Sequence, residues 1–517
     1  MQNVYLDVRK LDSACRESYA LSEDCMMENA AQALKRAALP YLERKGVFIS
    51  RPALLVLCGG GNNGADGYAL ARAVVSHDIA VTVCEVIPAK SPLCLVQKER
   101  AQKTGVRIIN AQELDFYFEE TGSDVRVIAD CIFGSGFHGA LPPEAEAVIA
   151  QVNEEKKFSQ DMLHLIACDI PSGLDSYGNT GDSSCVFLAD ETVTMGALKL
   201  SLYSDTAKDA CGSVTCADLG VARNVYETAG NGFIRPDAFL LDAEDMRLPF
   251  RTKQNVHKGT FGHVAVVNGE KTGASVIAST AALTFGAGLV TLVRKDGNLE
   301  NKTGIPFEIM TAKDFPESTA AVALGMGLGR NEDNNSDYYC NYLLSNPQLP
   351  TVIDADFFYS QYICKLLKER PENLVLTPHP KEFQSLLAIC TADGMLSLKD
   401  IPSVSDCIKN RISYAKQFAE TFPGVTLLLK GANTLIASTE NGQTRIYINN
   451  CGTNALSKAG SGDVLAGLVA ALLAQKYSPV EAAISASLCH ALASRNCKNN
   501  FSLSPFDLIS FCAQIKK

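Results

Sequence analysis

The sequence predicts two α/β domains, each built on a largely parallel sheet, and three observations carry that reading. Short apolar runs alternate with helix-length segments along most of the 517 residues. The runs are nearly continuous in apolar character rather than alternating with polar residues, which marks strands covered on both faces. The alternation breaks once, between 222 and 256, and then resumes.

The elements follow in order. Residues 7–45 have helical periodicity and few breakers, with MMENAAQALKRAA (26–38) as an amphipathic helix. Strands are expected at 53–59, 80–87, 125–133, 164–170, 191–196 and 213–221. The stretch after them holds Pro and Gly and no long periodic run, so 226–256 is expected to be a linker region between domains 1–225 and 257–517. A second series of strands is expected at 263–269, 288–293, 320–327, 351–357, 373–378, 425–431, 434–438 and 444–449. Two long helices close it, at 464–475 and 478–496, the second with Ser478 as N-cap, Pro479 in its first position and Glu481 completing a capping box.

Composition narrows the function. Hydrophobic residues make up 47% and charged residues 20%, an ordinary globular balance with apolar material for more than one core. The net charge of −10 comes without a basic stripe, which excludes a phosphate-backbone footprint and hence nucleic acid as partner. The 18 cysteines are scattered, and several, such as Cys58, Cys84, Cys168 and Cys489, sit in apolar runs. They read as buried free thiols of a reducing compartment rather than disulfides or a metal cluster. The start of the chain lacks a signal-peptide core and no apolar stretch reaches bilayer length, so a cytoplasmic protein without membrane contact is expected.

The residues with chemistry fall just past the C-terminal ends of predicted strands, where open parallel sheets bind ligands. GGGNNGADGYALAR (59–72) follows a strand and opens a helix. Its glycines permit a tight turn, and the free N–H groups of the helix start suit a phosphate. A glycine turn alone is often merely structural, but Asn62, Asn63 and Asp66 add polar side chains that a turn does not need. Asp130 ends a second strand ahead of GSGFHGA (134–140), and Asp169 ends a third ahead of PSG. Oxygen ligands from Asn63, Asp130 and Ser172 suit a hard cation.

Together GGGNNGADG, DCIFGSGFHGA and DIPSGLD resemble the NAD(P)H-hydrate epimerase domain, as does MMENA near the start, over about residues 1–225. The resemblance implies that Asn62, Asn63, Gly64, Ala65 and Asp66, with Gly134, Ser135, Gly136, Phe137, His138, Gly139 and Ala140, bind the hydrated dinucleotide. It further implies K+ on Asn63, Asp130 and Ser172, and substrate contact by Asp169. Ala65 stands where that family usually has glycine, a change tolerated if its φ is negative. The reaction inverts C6 of the reduced ring through an iminium-like intermediate, and Asp169 is the expected group to give and take the proton.

NALSKAGSGDVLAGLVAALLAQ (454–475) carries the second site. Gly460, Ser461 and Gly462 bring N–H groups together at the start of an apolar helix, an anion hole for a transferring phosphoryl group, with Asp463 beside it. A plain Asp cap does not require a Gly-Ser-Gly approach. The turn resembles the anion hole of the ribokinase-like superfamily. With KGTFGHVAVVNG, GAGLVTL, GMGLG, TPHPKEF and LKGANTLIA, residues 240–515 resemble the ADP-dependent NAD(P)H-hydrate dehydratase domain.

That likeness implies hydrated-cofactor contacts by Ala274, Gly327, His379 and Asp463. It implies adenine-nucleotide contacts by Lys430, Gly431, Ala432, Asn433, Thr434 and Gly462, with Asp463 as base, ADP as phosphoryl donor and Mg2+ on its phosphates. The fold expected from both likenesses is an N-terminal Rossmann-like three-layer sandwich followed by a ribokinase-like α/β sandwich. A homo-oligomer acting on hydrated NADH and NADPH is expected. The alternative is a ribokinase-like small-molecule kinase fused to a nucleotide-binding domain, but a kinase does not need the NNGADG, DCIFGSG and DIPSG trio of the first half.

Overall fold

The computed structural model describes all residues except 44–50, 77, 160–161, 182–184, 231–233, 298–303, 332–333 and 517, and the side chain of Ser123. Residues 44–45 of the expected first helical segment and 231–233 of the expected linker thus lie outside the described residues. The chain forms two compact units, one of Asn3–Asp237 and one of Ala238–Lys517 with Met1–Gln2.

The first unit carries β1 (Gln2–Tyr5), β2 (Ala53–Cys58), β3 (Ala80–Glu85), β4 (Arg107–Asn110), β5 (Val125–Cys131), β6 (His164–Cys168), β7 (Glu191–Met195), β8 (Leu198–Lys199) and β9 (Ser213–Ala217). Seven of these make a parallel sheet in the order β4-β3-β2-β5-β6-β7-β9, while β1 pairs with β8. Every residue of β2 and β5 is buried, as the unbroken apolar run of β2 and the largely apolar one of β5 predict. Two apolar clusters line the sheet's opposite faces: Leu54 and Val56 join one, Leu55 and Leu57 the other. The chain leaves β2 toward β3 and β4, then returns to place β5 on the other side. The crevice at the C-terminal ends of β2 and β5 is therefore the topological switch point.

The second unit carries β10 (Ala238–Leu240), β11 (His263–Val267), β12 (Leu289–Val293), β13 (Met310–Ala312), β14 (Ala321–Leu324), β15 (Thr351–Ile353), β16 (Leu374–Leu376), β17 (Thr426–Leu429), β18 (Thr434–Glu440) and β19 (Gln443–Asn449). Their order is β13-β12-β11-β14-β15-β16-β17-β18-β19-β10. The run from β13 to β17 is parallel, β17-β18-β19 is antiparallel, and β19-β10 is parallel again. Here the switch point lies between β11 and β14. The helices Ser461–Ala474 and Pro479–Ala493 belong to the core, and Ser478 caps the latter with the expected box to Glu481.

Two expectations change. The 226–256 stretch is not a free linker: Tyr226 is buried in the first unit, whereas Ala238–Leu240 is a strand of the second and Leu241 and Met246 enter its core. The short apolar content of such a stretch hides burial that is settled by distant partners. The helical segment 7–45 is two helices, Arg9–Tyr19 and Glu23–Leu42, parted at Ala20, which takes a left-handed φ of 53°. Ser22 caps the second by accepting from Cys25 N–H.

Candidate active sites

In the first unit, the helix Asn62–Val74 begins directly after β2 with Gly61 as its N-cap. Glycine is required at two places by close packing. A Cβ on Gly64 would lie 1.9 Å from the Gly59 carbonyl oxygen, and one on Gly67 would lie 2.7 Å from Cys58 Sγ. Ala65 lies inside this helix, outside the positive-φ residues, with its methyl in the core. The alanine is thus accommodated where a glycine is usual.

A cavity of about 960 Å³ opens at the switch point. Of the residues expected there, Asn62, Asn63, Asp66, Gly134, Ser135, Gly136, Phe137, His138, Ala140 and Asp169 line it. Gly64, Ala65 and Gly139 do not. The first two are buried on the packed side of their helix. Asp12, Lys90, Ser91 and Lys199 also line the cavity and were not singled out from the sequence. A signal existed for Lys199 alone, which stands four residues past the end of β7, as the aspartates stand at other strand ends.

Asp169 has φ +69°, a left-handed value that costs strain in a non-glycine residue and occurs preferentially at functional positions. Its carboxylate lies 2.6 Å from the buried Lys199 Nζ and accepts from Ser135 N–H (3.0 Å) and Met195 N–H (3.3 Å). Burial pushes the carboxyl up, but the Lys199 ammonium and these donors outweigh burial and hold it below the ordinary range. Asp130 differs. Fully buried, it accepts from Ser172 N–H and Oγ–H, both at 2.7 Å, and from Ile132 N–H at 3.1 Å. Burial outweighs those bonds and raises it to about 6.

The structure brings Asp130 and Ser172 into direct contact. Asn63 Oδ1 lies 3.2 Å from where a Cβ on Gly134 would stand, and Asn63 Nδ2 is buried without a hydrogen-bond partner. The buried Asp130 carboxylate balanced by neutral donors, the Ser172 hydroxyl and the Asn63 Oδ1 are hard oxygen atoms of the kind that fit a monovalent cation.

In the second unit, four charged side chains converge beyond the ends of β15, β16 and β17. Lys430 Nζ lies 2.8 Å from Asp354 Oδ1 and 3.7 Å from Glu382 Oε2. At Gly462, at the start of the Ser461–Ala474 helix, a Cβ would lie 3.3 Å from Lys430 Nζ. A side chain there would crowd the ammonium. Asp463 follows, and burial, then Asp354, raise its carboxyl to about 7 against the opposing pull of Lys430. Burial also raises Glu382 to about 7.

His379 caps the helix Pro380–Ala392. Its Nδ1 accepts from Lys381 and Glu382 N–H, and its Nε2 lies 3.2 Å from Glu382 Oε1. Acceptance at Nδ1 places the proton of the neutral ring on Nε2. His490, buried under the Ser461 turn, donates Nε2–H to the Ser461 carbonyl at 3.0 Å, and burial lowers its pKa to about 4. A neutral buried ring thus fixes the start of the anion-hole helix.

Gly327 (φ +61°) abuts Ala274, whose Cβ would be 3.1 Å from an added Cβ. Gly431 leaves room for Arg411, whose Nη2 donates to the Leu429 and Lys430 carbonyls at 3.1 and 3.2 Å and braces the loop that carries Lys430. Asn433 is fully buried, so of the expected Lys430–Thr434 nucleotide loop its side chain packs inward. Ala432 follows Gly431 in that loop, and Thr434 opens β18. Asp354 and Glu382 are the residues missed by sequence reasoning, although Asp354 directly follows a short apolar strand as Asp169 does.

Residues 23–201 match the family described as YjeF-related protein N-terminus, and residues 264–514 match the family described as NAD(P)H-hydrate dehydratase. The bifunctional NAD(P)H-hydrate repair enzyme Nnr of Helicobacter pylori is 42% identical over 516 residues, covering 100% of both chains. The enzyme of the same name from Coxiella burnetii is 30% identical, covering 94% of this chain and 92% of its own. A solved structure of the ADP/ATP-dependent NAD(P)H-hydrate dehydratase of Bacillus subtilis is 22% identical, covers 52% of this chain and 92% of its own, and has a TM-score of 0.41. With both halves matched and a full-length relative at this identity, the chain belongs to the family of bifunctional NAD(P)H-hydrate repair enzymes.

Proposed function

We propose that the first unit interconverts the R and S hydrates of NADH and NADPH at C6, and that the second dehydrates the S form at the expense of ADP, yielding AMP and phosphate. One observation carries the reading: each unit ends a parallel strand on a buried carboxylate paired with a lysine, Asp169–Lys199 at 2.6 Å and Asp354–Lys430 at 2.8 Å. Two independent charge-bearing strand ends in one chain, matched end to end by relatives named for two activities, fit two reactions better than one.

At the first site the ring nitrogen's lone pair expels the C6 oxygen, and the ring becomes cationic. Asp169, held ionised by Lys199, faces that charge. Gly134–Phe137 and Asn62 form the polar wall along which the dinucleotide lies. Asn63, Asp130 and Ser172 would hold K+, which supplies positive charge for the buried Asp130 carboxylate and for the diphosphate. If so, KCl should raise the melting temperature above that in tetramethylammonium chloride at equal ionic strength. Asp130→Asn should erase the difference, and equal melting in both salts would argue against the ion site.

At the second site the amides of the Gly460–Gly462 turn receive the transferring phosphoryl group. Asp463 takes the C6 hydroxyl proton as the oxygen attacks the β-phosphorus of ADP, and phosphate then leaves more readily than hydroxide. Lys430 balances Asp354 and faces the phosphates, as Gly462 allows, while His379 and Gly327 border the substrate. Among the described residues no three His, Cys, Asp or Glu side chains form a metal-holding group. Asp354 and Glu382 fit Mg2+ arriving on the nucleotide, since that ion is usually held by one or two carboxylates plus phosphates, and Asp463 stays free to act as base. The ion would screen phosphate charge.

Cytoplasmic placement and a homo-oligomer complete the proposal. All 18 cysteines are free thiols, which suits a reducing compartment, and no described helix is long and apolar enough to cross a membrane. Light scattering tests the assembly. The deciding experiment incubates the purified chain with each hydrate separately, with and without ADP and Mg2+. S hydrate should yield NAD(P)H only with nucleotide, and R hydrate should yield it through S. Phosphorylation of an unrelated alcohol with neither hydrate consumed would instead support a small-molecule kinase.

A further inference from the structure

Three carboxylates, not one, stand around the floor of the first cavity. Asp169 comes from the end of β6, Asp66 from the helix Asn62–Val74, and Asp12 from the helix Arg9–Tyr19. Their surroundings differ. Asp169 has Lys199 at 2.6 Å and two backbone donors. Asp12 accepts the Tyr226 hydroxyl at 2.6 Å. Asp66 lines both this cavity and a second one of about 390 Å³ that shares its wall, and the hydrogen-bond donor on its carboxylate is the Cys168 thiol at 3.9 Å, a weak one.

From the hydrated-ring reading above, we infer that Asp66 is the group that hands a proton to the departing C6 oxygen and recovers one from the returning water, while Asp169, locked to Lys199, supplies fixed negative charge. This refines the expectation that Asp169 moves the proton. In the forward step the C6–O bond breaks, the Asp66 proton joins the oxygen, and the nitrogen lone pair forms the C=N bond. Water leaves and a cationic ring remains between the Asp66 and Asp169 carboxylates. In the return step water attacks C6 from either face, the C=N pair goes back to nitrogen, and Asp66 takes the extra proton. No other reactant is consumed.

Geometry decides between the two aspartates. A carboxylate already bonded to an ammonium and two N–H groups has little free basicity to lend. Among the described residues Asp66 has no such partner, and it faces like charges. Around it stand Asp169, Asp12 with Arg16 behind it, Lys199, and the thiols of Cys94, Cys131 and Cys168. Burial, then the Asp169 and Asp12 charges, push its carboxyl well above the ordinary value, which favours its protonated form. Asp66→Asn preserves size and hydrogen-bonding shape but cannot cycle a proton.

The test is made on the full chain. Epimerisation of each hydrate is followed across pH for wild type and Asp66→Asn, with the enzyme-free rate subtracted. The expected result is a kcat at least about 100-fold lower with KM within about threefold, the span usual for loss of a general acid. The alkaline limb of the wild-type profile should also vanish in the variant. Dehydration by the same chain reports that it has folded. Infrared difference spectra of the free enzyme at neutral pH should show a carboxylic-acid band in wild type that is lost in Asp66→Asn. A variant that keeps wild-type kcat, loses activity through KM alone, or leaves that band intact overturns the assignment. Absence of epimerisation in wild type would bring down the underlying reading, and this role with it.

Discussion

Asp463→Ala is expected to slow ADP-dependent dehydration of the S hydrate by about 10²–10⁴-fold, the usual contribution of a positioned general base, while epimerisation continues at the wild-type rate. Gly460 enters the helix with φ +89° and Gly462 has no side chain, so the amides of the turn are open to a phosphoryl group and Lys430 Nζ approaches within reach. A carboxylate at this place would be a poor base if it stayed at its ordinary value, because hardly any driving force for proton uptake would remain. Burial, then Asp354, raise it to about 7. Dehydration should therefore fall as pH drops below about 7, where Asp463 carries a proton before it can accept one.

Asp463→Asn should lose the rate and leave the residual activity flat across that window. Lys430→Met should move the wild-type acid limb to higher pH, since Lys430 is the group that pulls Asp463 down. Steady-state rates with S hydrate and saturating ADP check all three, with R-to-S conversion measured on the same preparations. Loss of both activities in Asp463→Ala would contradict two separate sites, and retention of dehydration would remove Asp463 from the chemistry.

Which parts of this machinery were legible in the sequence follows from the range of the interactions involved. Strand β2 is apolar from end to end, and β5 and β11 largely so, because both faces are covered, and such runs announce themselves locally. Eleven of the fourteen expected strands overrun their C-terminal ends by one to four residues, as with 125–133 against Val125–Cys131. Ile132 is buried in the loop beyond the strand, and burial rather than hydrogen bonding is what a hydrophobic pattern reports. Short strands went unseen: β4 and β13 sit at sheet edges with mixed exposure, and β1, β8 and β10 are four residues or fewer.

The site divides in the same way. Glycine turns, strand-end aspartates and the Gly-Ser-Gly helix start are local signals. Lys199 and Asp354 each match a partner 30 or 76 residues away (199 − 169 and 430 − 354), and nothing near either residue in the chain names that partner. Glu382 was hidden in a capping box, where it accepts from His379 N–H at 2.8 Å, and a cap is an adequate reason for a glutamate in that position. Only its second role, facing Lys430 at 3.7 Å, sets it apart.

The Asp169–Lys199 pair gives the other large effect. Asp169→Asn is expected to reduce epimerisation by at least about 100-fold, because the fixed charge that balances the cationic ring is removed from a water-poor site. The fold should survive. An asparagine oxygen still accepts from Ser135 N–H, and losing one partner of a buried ion pair costs about 3–5 kcal/mol, within the stability of an ordinary domain. Lys199→Met removes the other partner and leaves Asp169 buried without its cation and facing Asp12.

The sign with pH separates the two variants. Asp169 is held below the ordinary carboxylate range in the folded chain, so its contribution to stability is present above that range and is lost as pH falls through its lowered value. Wild type should therefore lose stability on acidification from this source, and Asp169→Asn should not. In Lys199→Met the carboxyl is no longer held down, and burial then drives it upward. That variant should be least stable, relative to wild type, at neutral pH and should recover as acid neutralises the orphaned charge. Denaturant unfolding of the full chain at neutral and acidic pH, read in the first unit, measures these slopes. Parallel slopes for all three proteins would mean that Lys199 does not hold Asp169 ionised, and the fixed-charge role at the ring would lose its physical basis.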